Sequence, residues 1–198
     1  MTPSNSAAGE FPPEQVLQFT RMFEAPRALV FKVWSSPEHV VRWYGPEGYA
    51  LLSCDMDFRE GGAWRFCMSN GPGHAHWIHG VYREIREPSR LSFTYINDYD
   101  GHEMLVTMDF IDRGERTEMH FQQAGFTRIE ERDGHDWGWN STIDLLAAYL
   151  LRFKDVVETT PIGRPRSDGV AEDIVAARRR AWEQREETAD EDRRAENR

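Results

Sequence analysis

The densest cluster of chemistry-bearing side chains is His74-Ala75-His76-Trp77-Ile78-His79. On an extended strand His74 and His76 share a face and His79 points to the other. Two imidazoles so spaced hold a transition metal only if a third ligand arrives from elsewhere, with His102, His120, Asp55 or Asp57 as the donors at hand. No complete ligand set stands at diagnostic spacing, so no metal and no cofactor is expected. The carboxylates Asp55, Asp57, Glu84, Glu103, Asp109 and Glu118 alternate with apolar neighbours. They read as outward-facing strand residues rather than general acids or bases, which need a dry cleft. Cys54 and Cys67 lie in apolar surroundings without a CxxC pair and are expected as free, inert thiols. No serine sits in a G-x-S-x-G turn, and no glycine pair opens a helix as a phosphate cradle does. No catalytic residue is nominated, and a non-enzymatic role is the leading expectation.

What remains is apolar. Aromatics make up 12% of the 198 residues, with seven Trp. Such rings build either a thick core or a cavity wall. Trp64, Phe66 and Met68 share one strand parity, as do Leu91, Phe93 and Tyr95. The candidate ligand-cavity residues are Trp43, Trp64, Phe66, Met68, His76, Tyr95, Glu103, Met119, Phe121, Trp139, Ile143 and Leu146. Tyr95, His76 and Glu103 would supply the polar contacts.

The elements that must position these residues follow from periodicity. Val16–Phe23 alternates as a strand; Pro26 opens a helix carrying Val30 and Trp34; Ser36, a candidate N-cap, starts a second short helix ending at Trp43-Tyr44-Gly45-Pro46. Six strand-like segments follow: Tyr49–Phe58, Ala63–Asn70, His76–Arg86, Arg90–Asn97, Glu103–Asp112 and Arg116–Gln123. Short Gly- and Pro-bearing turns separate them, which predicts an antiparallel meander. A long helix starts near Asp133 or Gly134 and runs to about Lys154. Its stripe of Trp139, Ile143, Leu146, Leu150 and Phe153 has helical spacing and must pack on the concave face of the sheet.

The organisation expected is a flexible leader over 1–14, one ligand-cavity domain over 15–155, a linker over 156–169, and a charged, partly helical tail over 170–198. In the tail Val170, Ile174, Ala177 and Ala181 form a thin stripe beside Trp182. The net charge of -10 argues against nucleic acid, even with Arg178-Arg179-Arg180 in the tail. No stretch approaches a membrane span, and the polar opening Met1–Gly9 lacks the features of an export signal. A cytoplasmic location is therefore expected. Open strand edges and the tail make a homodimer an expectation as well.

Strand, two helices, six strands and a long helix is an α+β helix-grip order. Local motifs agree with it: Pro26, Val30, Phe31 and Trp34 followed by Pro37 and Trp43-Tyr44-Gly45-Pro46; Phe58-Arg59-Glu60-Gly61-Gly62-Ala63-Trp64-Arg65-Phe66; Gly80-Val81-Tyr82-Arg83-Glu84-Ile85 with Pro88 and Arg90-Leu91-Ser92-Phe93-Thr94-Tyr95; and Trp137-Gly138-Trp139 in the last helix. Over Leu17–Phe153 the chain resembles the activator-of-heat-shock-protein-90-ATPase-like branch of the START/birch-allergen superfamily, also described as the polyketide cyclase-like SRPBCC superfamily. The resemblance implies a curved sheet of about seven strands around the long helix, with an apolar cavity holding a small hydrophobic molecule. It also implies two alternatives: a chaperone-associated interaction protein, or a cyclase/dehydratase- or hydrolase-like enzyme using a cavity acid or base. Fold alone does not choose among them.

Overall fold

The computed structural model describes residues 11–157, with side chains to residue 152. The first ten residues, most of the expected linker and the whole 170–198 tail, including Trp182, lie outside the described residues. A single 3-10 turn at Pro13–Gln15 leads into strand β1 (Val16–Phe23). That turn falls partly within the expected leader and is tied to the fold: the Gln15 carbonyl accepts from the amides of Gly125 and Phe126.

Helices α1 (Arg27–Ser35) and α2 (Pro37–Trp43) follow, then β2 (Ala50–Met56), β3 (Ala63–Ser69), β4 (Ala75–Arg86), β5 (Arg90–Asn97), β6 (Glu103–Asp112), β7 (Thr117–Ala124) and α3 (Ile129–Val157). The seven strands form one antiparallel sheet in the order β1-β7-β6-β5-β4-β3-β2. The meander runs through β2 to β7, and β1 closes onto β7 from Val16↔Ala124 to Phe23↔Thr117. The architecture is the α+β helix grip.

Three local details differ from the sequence reading. Ser36 occupies the N-cap of α2, but its side chain makes no cap bond. Its carbonyl accepts from His39 and Val40 instead, and Pro37 at the first helical position needs no donor partner. The long helix begins one turn earlier than expected, at Ile129. Glu130 and Glu131 lie in that turn, where the helix dipole favours negative charge, and Gly134 is carried within the helix. In β4 the register shifts between Tyr82 and Glu84. The core-facing set there changes from Ile78 and Tyr82 to Ile85, the effect of a bulge that inserts one residue.

The core lies between the concave face and the three helices. Met104, Val106, Met108 and Phe110 of β6 alternate inward, as do Met119 and Phe121 of β7. Ile143 and Leu146 of α3 are fully buried against them. Phe31 sits edge-on to Phe110, so α1 caps one end of the trough. Among the described residues the other end is left open.

Candidate functional site: a cleft at the open end of the grip

The open end holds a cleft of about 530 Å³, within the range that takes a drug-sized ligand. Its floor is aromatic. Trp139 of α3 is 5% exposed and meets Phe121, Tyr95 and Tyr44 with ring centroids 4.8, 6.1 and 6.1 Å away. Met68 comes from β3, His76 from the first residues of β4, and Asn97 from the last residue of β5. His135, Trp137 and Thr142 come from the first half of α3. The mouth is edged by Tyr99 and by the β3–β4 turn with Gly73 and His74. A hydrogen bond of 2.8 Å from the Glu47 amide to Ser141 Oγ ties the segment after α2 to α3 and holds that side in place.

No lysine, arginine, aspartate or glutamate is among the described lining residues. The polar groups are of a different kind. Gln123 of β7 is fully buried behind the floor. Its Oε1 accepts from Trp139 Nε1 at 2.7 Å and lies 3.0 Å from His135 Nδ1, while its Nε2 donates toward Met104 Sδ at 3.4 Å. Burial, with a smaller push from His76, holds the His135 imidazolium down to about 4, against a minor opposing pull from Asp100. Burial likewise lowers His76. The Asn97 amide nearby favours the charged form of His76, without forming a bond of good geometry. Asn97 is 1% exposed and its Oδ1 has no hydrogen-bond donor among the described residues. Burial raises the phenols of Tyr44 and Tyr95, so both stay protonated.

Of the twelve residues expected to form the cavity, Met68, His76, Tyr95 and Trp139 are brought together here. The other eight lie elsewhere. Trp43 is buried between α1 and α2, its ring 4.6 Å from Trp34 and its indole donating to the Val33 carbonyl. Trp64 and Phe66 border an internal gap of about 20 Å³, room for a single water at most. Met119, Phe121, Ile143 and Leu146 are core. Glu103 is exposed, 3.6 Å from Arg83, because its parity on β6 is the outward one. The sequence reading did not select His135, Asn97 or Gln123. His135 could have been found: it stands four residues before Trp139 on the same helical stripe.

The remaining chemistry-bearing groups are dispersed. His74 is exposed in the turn before β4, and His79 is on the outer face, 2.7 Å from Asp98, which also binds Arg65. His102 bonds the Gly125 carbonyl, and His120 bonds Glu118. No cluster of three or more metal-ligating side chains occurs among the described residues. Glu84 and Asp109 flank Arg90 at 2.7 and 2.6 Å in an ion-pair group away from the cleft. Neither cysteine is in a disulfide, and burial raises the Cys54 thiol far above its ordinary range. No helix among the described residues is long and apolar enough to cross a membrane.

Several solved structures share this architecture. A protein from Nitrosomonas europaea is 22% identical with a TM-score of 0.65, over 73% of this chain and 99% of that one. A protein from Chromobacterium violaceum is 23% identical with a TM-score of 0.62, over 69% and 96%. At these identities the likeness speaks for the fold alone. The AHSA1 protein from Silicibacter pomeroyi is 25% identical with a TM-score of 0.62, over 69% and 98%. No curated protein matches the chain. Residues 24–151 match the family described as Activator of Hsp90 ATPase homolog 1-like protein. That match spans well over half of the sequence and includes every element from α1 to the cleft-lining half of α3, so the chain belongs to the Activator of Hsp90 ATPase homolog 1-like family.

Proposed function

We propose that the cleft binds a small, largely apolar molecule without chemical change to it. One observation carries the reading: about 530 Å³ of space is walled by the rings of Trp139, Tyr44 and Tyr95 and by Met68, with polar side chains such as Asn70, His76, Asn97, His135 and Thr142 set among them. Apolar and aromatic walls interrupted by polar groups that can fix orientation are the make-up of a ligand site. Glu84 and Glu103, the carboxylates nearest to such a role in the sequence, are in ion pairs away from the cleft, and burial lowers both His135 and His76.

The test is a melting-temperature screen against apolar and aromatic compounds, paired with native mass spectrometry for a co-purified molecule. A ligand for the native state raises the midpoint in proportion to the logarithm of its concentration over Kd. Gly138→Trp, whose side chain would start beside Pro46 on the cleft wall, should fill the cleft and erase the shift. A shift that survives this substitution, or none across a broad library, removes the reading. The same spectra report whether the open edges of β1 and β2 support a homodimer.

Family membership favours a second reading, a chaperone-associated interaction protein. A pull-down with the cognate heat-shock ATPase tests it, and no enrichment would count against it.

A further inference from the structure

The polarity of the cleft is fixed by a chain of hydrogen bonds that starts outside it. The indole N–H of Trp139 can only donate, so the Gln123 atom 2.7 Å away must be the amide oxygen. That oxygen can only accept. His135 Nδ1, 3.0 Å from it, must therefore carry the ring proton. In the neutral ring the other nitrogen, Nε2, is then a lone-pair acceptor. No described residue donates to Nε2, and the ring lines the cleft in T-shaped contact with Tyr95 and Phe126, 5.3 and 5.2 Å away.

We propose that the cleft selects an uncharged aromatic molecule bearing a hydroxyl or N–H group, and that Nε2 of His135 is the acceptor that reads this donor. The proposal rests on the apolar-cleft reading and sharpens it to a ligand class. Flat apolar walls favour a ring. With no lysine, arginine or carboxylate among the described lining residues, a carboxylate or ammonium ligand meets no fixed opposite charge to offset its desolvation. A ligand offering only acceptors would set its lone pairs against that of His135 Nε2 and leave it unsatisfied. Gln123 is a positioning residue. It touches no ligand and sets which nitrogen of His135 carries the proton.

The probes are naphthol, its methyl ether methoxynaphthalene, and naphthoate, titrated at neutral pH against the full chain with tryptophan fluorescence as readout. Naphthol should bind about 5- to 10-fold more tightly than the ether, the worth of one neutral hydrogen bond. Naphthoate should bind more weakly than either. His135→Phe keeps the ring and removes the acceptor; naphthol and the ether should then bind alike, with affinity for the ether retained. Equal binding of naphthol and ether by the native chain overturns the donor-reading role and leaves the apolar cleft standing. Failure of both to bind overturns the cleft reading and this proposal with it. Should His135→Phe not fold, nitrogen-15 spectra of the native chain decide the tautomer: a protonated Nδ1 with a bare Nε2 is expected, and the reverse overturns the assignment.

Discussion

Replacing Gln123 with leucine separates the hydrogen-bond network from the packing around it. Leucine is close in bulk and suits the surroundings, since Gln123 is fully buried beside Met104 and Trp139. What is lost is the acceptor. Trp139 Nε1–H, on a side chain 5% exposed, is left with no partner, and a buried donor without one costs about 1–3 kcal/mol. His135 Nδ1–H loses the same partner but borders the cleft, where water can reach it, so it adds about 1 kcal/mol or less. The sum is about 1–4 kcal/mol, a large share of a typical domain's 5–15 kcal/mol yet compatible with folding at room temperature. Urea unfolding should show a lower midpoint with an unchanged slope. The control is the double variant Gln123→Leu, Trp139→Phe. Its loss should be smaller than the sum of the single losses by about 1 kcal/mol or more, because donor and acceptor leave together. A single-variant loss below about 0.5 kcal/mol, or strict additivity in the double variant, would refute the reasoning.

Acid should loosen the fold through two buried histidines. Burial holds His39 at about 4, with Lys32 and Arg42 adding to the effect, and burial with His76 holds His135 at about 4. Unfolded, each titrates near 6.5, so unfolding takes up protons between those values. Their contribution is complete above 6.5 and is lost as pH falls toward 4, on the order of 3 kcal/mol for each ring and less where solvent screens it. Melting curves across that window check this, and His39→Gln should flatten the slope. Gly80→Ala would place a methyl group 1.8 Å from the Thr94 carbonyl oxygen and 2.8 Å from Trp64 Nε1; a loss of about 3 kcal/mol or more, or failure to fold, is expected. Gly134→Ala meets nothing within 4 Å on α3 and should instead raise stability by about 0.5–1 kcal/mol. Trp137→Ala, at a residue 60% exposed, should leave the melting temperature nearly unchanged while weakening ligand binding at the cleft.

Much of the fold was legible because alternation and turn residues are local signals. Val16–Phe23, Arg90–Asn97 and Glu103–Asp112 have the expected bounds, and the inward parity of Trp64, Phe66 and Met68 holds. The start of α3 was misplaced because Gly134 looks like a boundary. A glycine in an exposed helix costs only about 1 kcal/mol, which tertiary packing overrides. The site was legible only in part. Parity shows which rings face the trough but not how far along it the helices reach. Trp64, Phe66, Met119 and Phe121 face the same way as Met68 and Tyr95, yet of the six only the last two border the cleft. The role of Gln123 was hidden for another reason: a glutamine at an inward strand position has no meaning until the indole it serves is placed beside it.

The pairing of β1 with β7 bears on how the chain reaches this state. β2 to β7 can assemble by successive hairpins, each closing a short loop. β1 must wait, since its partner is separated from it by the whole of 24–116. Closing a flexible loop of that length costs about 4 kcal/mol of chain entropy, which only later contacts return. During synthesis the first strand therefore leaves the ribosome long before the edge that receives it exists. Until then Leu17, Phe19 and Phe23 remain available to other chains. The stacked Phe19–Phe121 pair, centroids 4.6 Å apart, marks the moment of closure. Refolding should accordingly be slow for a chain of this size, with its yield falling as concentration rises.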